Sequence, residues 1–341
     1  MNETLVEIEL NNFRNYKRHK HVFEKGINWI TGVNGSGKTN LLEAVLCLSQ
    51  GKSYRVVRQE DMVEWKSDAA RVRGRFVCEE RNDELEINIW KAGAGGKKMS
   101  GKSYKINGVG KLLRNYVGKM MSVWFGPEDL SLISGGSGGR RRYMDVILGQ
   151  SDVKYGRFVR EYEQALKRRN KLLELLALGK ITRQPFAYYD EILLSRGEYI
   201  HQIRRELVDY MNVFFGCHEN FGNLLVNYDH SVMSKERLIK YQYAEIEAGV
   251  TLIGPQRDDL NIIYMFGDEK QSLRNFGSRG QQRMGALGLK LGELEFLTQK
   301  NGRRPILLLD DVLSELDENH QKIVMKVMEL QQTIVTGVNK L

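Results

Sequence analysis

Residues 32–39 read Gly-Val-Asn-Gly-Ser-Gly-Lys-Thr. This is the spacing G-x-x-x-x-G-K-[ST], which wraps the phosphates of a nucleoside triphosphate. Each position has a physical task. Gly32, Gly35 and Gly37 let the backbone turn tightly with its N–H groups inward, and Val33, Asn34 and Ser36 add theirs. The helix that opens at Asn40 supplies an N-terminal end for anionic oxygens. Lys38 brings a point positive charge to the β- and γ-phosphates, and Thr39 offers a hydroxyl to Mg²⁺.

A second cluster completes the chemistry. Ile306-Leu307-Leu308-Leu309-Asp310-Asp311 is an apolar run ending in two carboxylates. A buried strand that delivers acids at its carboxyl end is how P-loop enzymes hold Mg²⁺ and the attacking water. Asp310 is expected in the Mg²⁺ shell and Asp311 as the group that orients or deprotonates water. A third cluster, Phe276-Gly277-Ser278-Arg279-Gly280-Gln281-Gln282-Arg283, opens a long helix. Ser278, Gly280 and Gln281 are expected as a second anion-binding end, with a plain N-cap as the other reading. A single fold rarely brings two such ends onto one triphosphate, whereas a two-fold dimer can, each copy completing the other's site.

These residues need elements to hold them. Ile27–Ile30 reads as a strand before the loop, and Leu41, Leu42, Val45 and Leu48 mark a helix after it. Leu5–Leu10, Arg71–Val77 and Leu85–Trp90 alternate like half-buried strands, and Ile106-Asn107-Gly108 signals a hairpin turn. Tyr155 to Leu176 and Ile192 to Phe214 repeat at helical spacing and predict a long antiparallel helical hairpin. Thr251–Ile253, Leu260–Tyr264, Ile306–Leu309 and Thr333–Thr336 read as further strands.

The bulk numbers narrow the class. A chain of 341 residues with 41% hydrophobic content and 4 prolines can bury two domains' worth of core. The 3 cysteines, Cys47, Cys78 and Cys217, form neither a disulfide framework nor a zinc spacing, which suits a reducing cytoplasm. The amino-terminal segment carries Glu3, Glu7 and Glu9 and has no secretory pattern; no apolar run has the length of a membrane span. A net charge of +9 suits a polyanionic partner such as nucleic acid. Basic clusters stand at Lys17–His21, Lys97-Lys98, Arg140–Arg142, Lys167–Arg169 and Arg204-Arg205. They are read as phosphate-backbone contacts or as solvated faces, with Arg140–Arg142 also a candidate for pairing with acids. Nothing resembles a recognition helix.

Taken together, the chain resembles the RecF family of DNA-repair ATPases, which have an ABC/SMC-type head. Ser278–Gln282 stands where such heads have their signature motif, and Ser314–Asp317 where they have the D-loop. Asn12-Phe13-Arg14-Asn15-Tyr16, Gly35–Ala44, Pro127–Leu130, Arg140–Arg142, Arg168–Asn170 and Gly254–Leu260 carry the resemblance over nearly the full length. Gln256 stands where the family usually has His, the glycine-rich stretch 135–139 is looser than usual, and the chain ends at Leu341 where relatives tend to run on.

The resemblance implies an α/β P-loop NTPase fold with an inserted α-helical domain. The head is expected at 1–130 and 250–341 and the helical insert at 131–249. It implies ATP and Mg²⁺ as cofactors, an ATP-dependent homodimer, and weak, DNA-stimulated ATPase activity in the cytoplasm. The implied partners are duplex DNA next to single-strand gaps, bound without sequence specificity, and the RecR and RecO mediators, with which recombinase is loaded. Two other readings stay open: the ATPase subunit of a membrane transporter, and a structural DNA binder that holds ATP without turnover.

Overall fold

The computed structural model describes residues 2–337, apart from 54, 57, 79, 80 and 97. Lys97 of the expected basic pair thus lies outside the described residues. The chain divides into two compact units, residues 1–129 with 293–341, and residues 130–292.

The first unit begins with a hairpin of β1 (Thr4–Phe13) and β2 (Tyr16–Val22), followed by β3 (Ile27–Thr31) and helix α1 (Lys38–Gln50). Strands β4 (Ala69–Cys78), β5 (Arg81–Trp90), β6 (Gly101–Ile106), β7 (Val109–Lys111) and β8 (Ser122–Phe125) follow. The antiparallel strands form one sheet in the order β2-β1-β4-β5-β6-β7. The β6–β7 turn is the expected Asn107-Gly108, both residues at positive φ, as a two-residue hairpin turn of this type requires.

In the second unit, α2 (Ser137–Ser151) leads into the long helices α3 (Val153–Ala177) and α4 (Phe186–Gly216). Gly138 and Gly139 of the glycine-rich stretch lie inside the first turn of α2. Asp152 caps α3 by accepting from the Lys154 N–H at 2.8 Å. Tyr155, Tyr162 and Leu173 of α3 and Leu193, Ile200 and Leu207 of α4 are buried, and they form the apolar seam of the expected hairpin. Next come β9 (Leu224–Asp229), α5 (Lys235–Lys240), α6 (Gln242–Ala248), β10 (Asp259–Phe266) and β11 (Glu269–Ser272). The order β11-β10-β9 makes a small antiparallel sheet.

Helix α7 (Arg279–Asn301) starts in the second unit and ends in the first. There β12 (Ile306–Asp310), α8 (Glu318–Met328) and β13 (Thr333–Gly337) complete a parallel sheet in the order β3-β13-β12-β8. Every residue of β12 is buried, as a strand covered on both faces must be. Truncating a core residue such as Leu308 costs about 2–5 kcal/mol.

Two expectations differ from the structure. Thr251–Ile253 is not a strand. Its backbone N–H groups are taken by side chains, Thr251 N–H by Asn170 at 2.9 Å and Leu252 N–H by Glu245 at 2.9 Å. Residues 250–292 also group with the middle of the chain, not with the terminal segments as expected. The reason is that β10 pairs with β9, and Asp258 is bound by Arg204 of α4.

Candidate nucleotide-binding site

The parallel sheet places the chemistry at its carboxyl edge. β3 runs into the glycine loop, β12 ends at Asp310, and β13 lies between them with Thr336 in register with Asp310. The Thr39 hydroxyl donates to Asp310 Oδ1 at 2.9 Å and the Thr336 hydroxyl to the same oxygen at 2.8 Å. Residues 271 positions apart in the chain are thus joined by one bond. Asp311 follows at φ 54°, an uncommon backbone for a residue other than glycine, and its N–H donates to Thr336 at 3.1 Å. A sharp turn at the strand end therefore separates the two acids. Asp310 is buried and Asp311 exposed.

The loop is built to receive an anion. Gly37 precedes α1 with φ 103°, no side chain caps the helix, and no acidic residue stands in its first turn. The N–H groups of that end therefore remain for a ligand. The Lys38 ammonium reaches back to the carbonyls of Gly32 at 2.6 Å and Val33 at 3.1 Å. A Cβ on Gly37 would stand 2.5 Å from Asn15 Nδ2 and 3.0 Å from the Tyr16 hydroxyl, and the positive φ of 103° also disfavours any side chain there.

That close approach exposes a part of the site that the sequence did not assign. The turn between β1 and β2 grips the loop from outside. Asn15 donates to the Ser36 carbonyl at 3.4 Å, accepts from Asn40 at 2.9 Å, and Tyr16 donates to the Gly37 carbonyl at 3.1 Å. Arg14 in this turn has φ 54° and is held by a two-pronged pair with Glu43 of α1, both bonds 2.8 Å. Glu43 is fully buried and also accepts from Ser53 at 2.5 Å and Arg55 at 3.3 Å. The quoted motif Asn12–Tyr16 thus works as a clamp on the P-loop. The motif itself was legible in the sequence, but its place beside the glycine loop was not. Thr336 was legible as a strand residue, with nothing to mark its hydroxyl.

Mg²⁺ takes hard oxygen donors. Thr39 and the Asp310 carboxylate offer them side by side. Among the described residues both hydrogen bonds to Asp310 fall on Oδ1 and none on Oδ2, so the residues fit the ion.

Ser278, Gly280 and Gln281 belong to the other unit, at the start of α7. The Ser278 hydroxyl accepts from the Gln281 N–H at 3.3 Å, and Gln281 Oε1 accepts from the Ser278 N–H at 2.9 Å. This reciprocal capping box stiffens a helix end whose Ser278, Arg279 and Gly280 are exposed.

The basic clusters divide in two. Arg140 is buried against Asp259 at 2.6 and 2.9 Å, and Arg141 donates to the Asp258 carbonyl. Arg169 is buried between Asp190 and Glu245, and Arg204 between Asp145 and Asp258. Burial works against charge on Asp258, but hydrogen bonds from His201 and Tyr228 and the Arg204 guanidinium outweigh it and hold the carboxyl below its ordinary range. Arg140, Arg169 and Arg204 are therefore internal struts and do not face a polyanion. Arg142, Lys167, Arg168 and Arg205, with Lys17, Arg18 and Lys20 of β2, are exposed. Gln256 is likewise internal: it accepts from Tyr162 at 2.5 Å and donates to the Ile253 carbonyl at 2.7 Å.

Comparison with known proteins places this arrangement. The model of the RecF/RecN/SMC N-terminal domain matches residues 4–340. A DNA replication and repair protein RecF of Oceanobacillus iheyensis is 34% identical over 95% of this chain and 90% of its own length. The RecF of Listeria innocua is 36% identical over 97% of this chain and 92% of its own. A solved chain described as the recombination mediator protein RecF-ATP in the RecFOR pathway superposes with a TM-score of 0.88 at 31% identity, covering 99% of this chain and 93% of that one. An Smc head domain derived from Pyrococcus furiosus shares the fold, with a TM-score of 0.53 at 18% identity, covering 99% of this chain and 90% of that one.

Proposed function

The chain belongs to the RecF/RecN/SMC N-terminal domain family, and to the RecF proteins within it, and on that premise we propose that it is an ATP-driven DNA clamp of recombinational repair. The glycine loop 32–37, Lys38 and the first turn of α1 through Asn40 hold the triphosphate. Thr39 and Asp310 hold Mg²⁺, which when bound neutralises charge developing on the phosphates. Asp311 orients the attacking water and accepts its proton. Turnover is slow, since Asp311 sits on a strained turn outside the buried shell.

Ser278, Gly280 and Gln281 act in trans. Their helix end meets the γ-phosphate bound by a second copy, so that ATP closes a homodimer and hydrolysis opens it. In this scheme residues 1–129 with 293–341 hold the nucleotide, and the helical hairpin of the middle unit reaches DNA. The clamp closes on duplex next to a single-strand gap, is stimulated by DNA, and hands the gap to RecO and RecR for recombinase loading in the cytoplasm. The observation that carries the reading is the Thr39–Asp310 hydrogen bond, which joins the P-loop to the acid of β12.

A transporter role draws no support from the long α3–α4 hairpin. The test is binding of the intact chain to gapped duplex with and without ATP across a salt series. Phosphate contacts predict a linear fall of log K with log salt, of slope about −0.9 per phosphate neutralised. A flat salt dependence, or equal affinity with and without ATP, removes the clamp.

A further inference from the structure

One face of the six-stranded sheet buries Leu10, Val72 and Ile87 in the core, and the opposite face carries charge. Strand register sets that charge in rows across the sheet. One row is Lys20, Glu9, Arg73, Glu86 and Lys105, and the row beside it holds Glu7, Arg75 and Glu84. In these rows every carboxylate is paired. Lys20 reaches Glu7 at 3.1 Å and Glu9 at 3.6 Å, Arg75 reaches Glu7 at 3.6 Å, Lys105 reaches Glu86 at 2.8 Å, and Arg73 pairs with Glu84.

The row on the other side of Glu9 has no carboxylate. It reads Arg18, Asn11, Arg71, Asn88 and Ser103, from β2 to β6. Arg18 and Arg71 are exposed, and among the described residues neither forms an ion pair, although Glu86 feels the charge of Arg71 and accepts from Asn88 at 2.8 Å. The two arginines stand two strands apart, about 10 Å, in a row about 19 Å long. They are the surplus of a face whose other charges cancel.

Two tryptophans stand at the end of the sheet beyond this row. Trp90 follows Asn88 on the same face and lies over Gly101, where a Cβ would stand 2.6 Å from its ring. Trp65 is 94% exposed. Its turn is nonetheless firmly held. The Glu64 N–H donates to the Asn12 carbonyl at 2.8 Å, and the Glu64 carboxylate accepts from the Lys66 N–H and the Ser67 hydroxyl, both at 2.9 Å. Lys91, next to Trp90, donates to the carbonyls of Glu64 and Trp65 at 3.0 and 3.1 Å. Lys66 and Lys91 balance Glu64 and Asp68 here, so the turn adds an indole without adding net charge.

We propose that this face binds a single strand of nucleic acid, with Arg18 and Arg71 on its phosphates and Trp65 stacked on an unpaired base. The proposal rests on the clamp reading for its ligand class and gives the single-stranded arm of a gap a place of its own. Uncancelled arginines select a polyanion. An indole held in water on a rigid turn selects a free base face, which a duplex keeps stacked inside.

The test uses the full chain without ATP and a fluorescein-labelled dT oligonucleotide of about 15 nucleotides, read by anisotropy over a salt series. Arg18→Gln with Arg71→Gln should weaken binding at least about tenfold and flatten the slope of log K against log salt by about 1.4, the value for two single-strand phosphates. Trp65→Ala should weaken binding at least about fivefold with the slope unchanged. The substituted residues are exposed, so an unchanged melting temperature certifies the fold. Lys322→Gln with Lys326→Gln, exposed on α8, removes the same charge elsewhere and should leave binding near wild type. An equal loss in that control, or no loss in either sheet variant, overturns the proposal. An equal loss of affinity for a blunt duplex of the same length overturns it too, giving the face to duplex. So does displacement of dT by polyglutamate as readily as by unlabelled dT, giving it to an acidic polypeptide. ATP-dependent binding to gapped duplex is read separately, so failure here and failure of the clamp are distinguishable.

Discussion

Glu43→Gln is the sharpest probe of how the nucleotide loop is held. The native carboxylate is fully buried and carries the two 2.8 Å bonds from Arg14, with Arg55 and Ser53 completing its shell. Glutamine keeps the shape and removes the charge. Breaking one partner of a buried ion pair costs about 3–5 kcal/mol. The side chains of Arg14 and Arg55 are 21% and 33% exposed, so water reaches the orphaned cations. The expected loss is therefore nearer ~2–3 kcal/mol, below the fully buried case. For a unit of this size that lowers the melting temperature by roughly 5–10 °C.

The same substitution reaches the ligand. Arg14 freed from Glu43 no longer fixes the turn at positive φ, and Asn15 and Tyr16 lose their hold on the Ser36 and Gly37 carbonyls. Neutral hydrogen bonds contribute about 0.5–1.5 kcal/mol each, so losing both should lower nucleotide affinity by about five- to 150-fold. Thermal unfolding and nucleotide titration, run on Glu43→Gln, Arg14→Gln and the double variant, measure the coupling. Unchanged melting and unchanged affinity in Glu43→Gln would refute the clamp, and additive effects in the double variant would refute the pair.

Two further outcomes can be checked directly. Asp311→Asn should leave ATP binding intact and trap a long-lived ATP complex on DNA, read as a loss of steady-state phosphate release; normal turnover would remove Asp311 from the reaction. Burial pushes the carboxyl of Glu3 up to about 7, although Arg303 at 3.0 Å and the Met121 N–H oppose it. Between pH 4.5 and about 7 the folded chain keeps a proton that the unfolded chain has lost, so this group's contribution to stability falls as pH rises through that window. Chemical denaturation at pH 5 and pH 8 should therefore show a larger drop in wild type than in Glu3→Gln, and equal drops would contradict the buried acid.

How much of this was legible in the sequence depended on range. The glycine loop is a local object: strand, turn and helix follow one another within residues 27–50, and the structure has them as read. The parallel strands were legible because residues buried on both faces are continuously apolar, as in Ile306–Leu309. The turn Asn107-Gly108 was legible because its backbone demands those residue types.

What failed was partner assignment at long range. Arg169 and Arg204 sat in basic runs that look like a phosphate-binding surface, and Arg140 pairs with an acid, which was one of the readings of its cluster. Their carboxylates, Asp259, Glu245 and Asp258, arrive from far along the chain, and a run of charge does not say which member turns inward. Thr251–Ile253 has the composition of a strand, yet side chains of Asn170 and Glu245 satisfy its backbone instead of a ladder. The Arg14–Glu43 pair escaped for the same reason, since its members lie in a turn and a helix that the motif alone does not bring together.

The central claim is that the loop 32–39 is half of a site and that a second copy supplies Ser278. Analytical sedimentation of wild type, Lys38→Met and Ser278→Arg, each with and without ATP, tests it most directly. The account predicts that wild type shifts from monomer to dimer with ATP, that Lys38→Met stays monomeric because it cannot bind the triphosphate, and that Ser278→Arg binds ATP normally yet stays monomeric. A Ser278→Arg chain that dimerises like wild type, or one that loses ATP binding as a monomer, would contradict it.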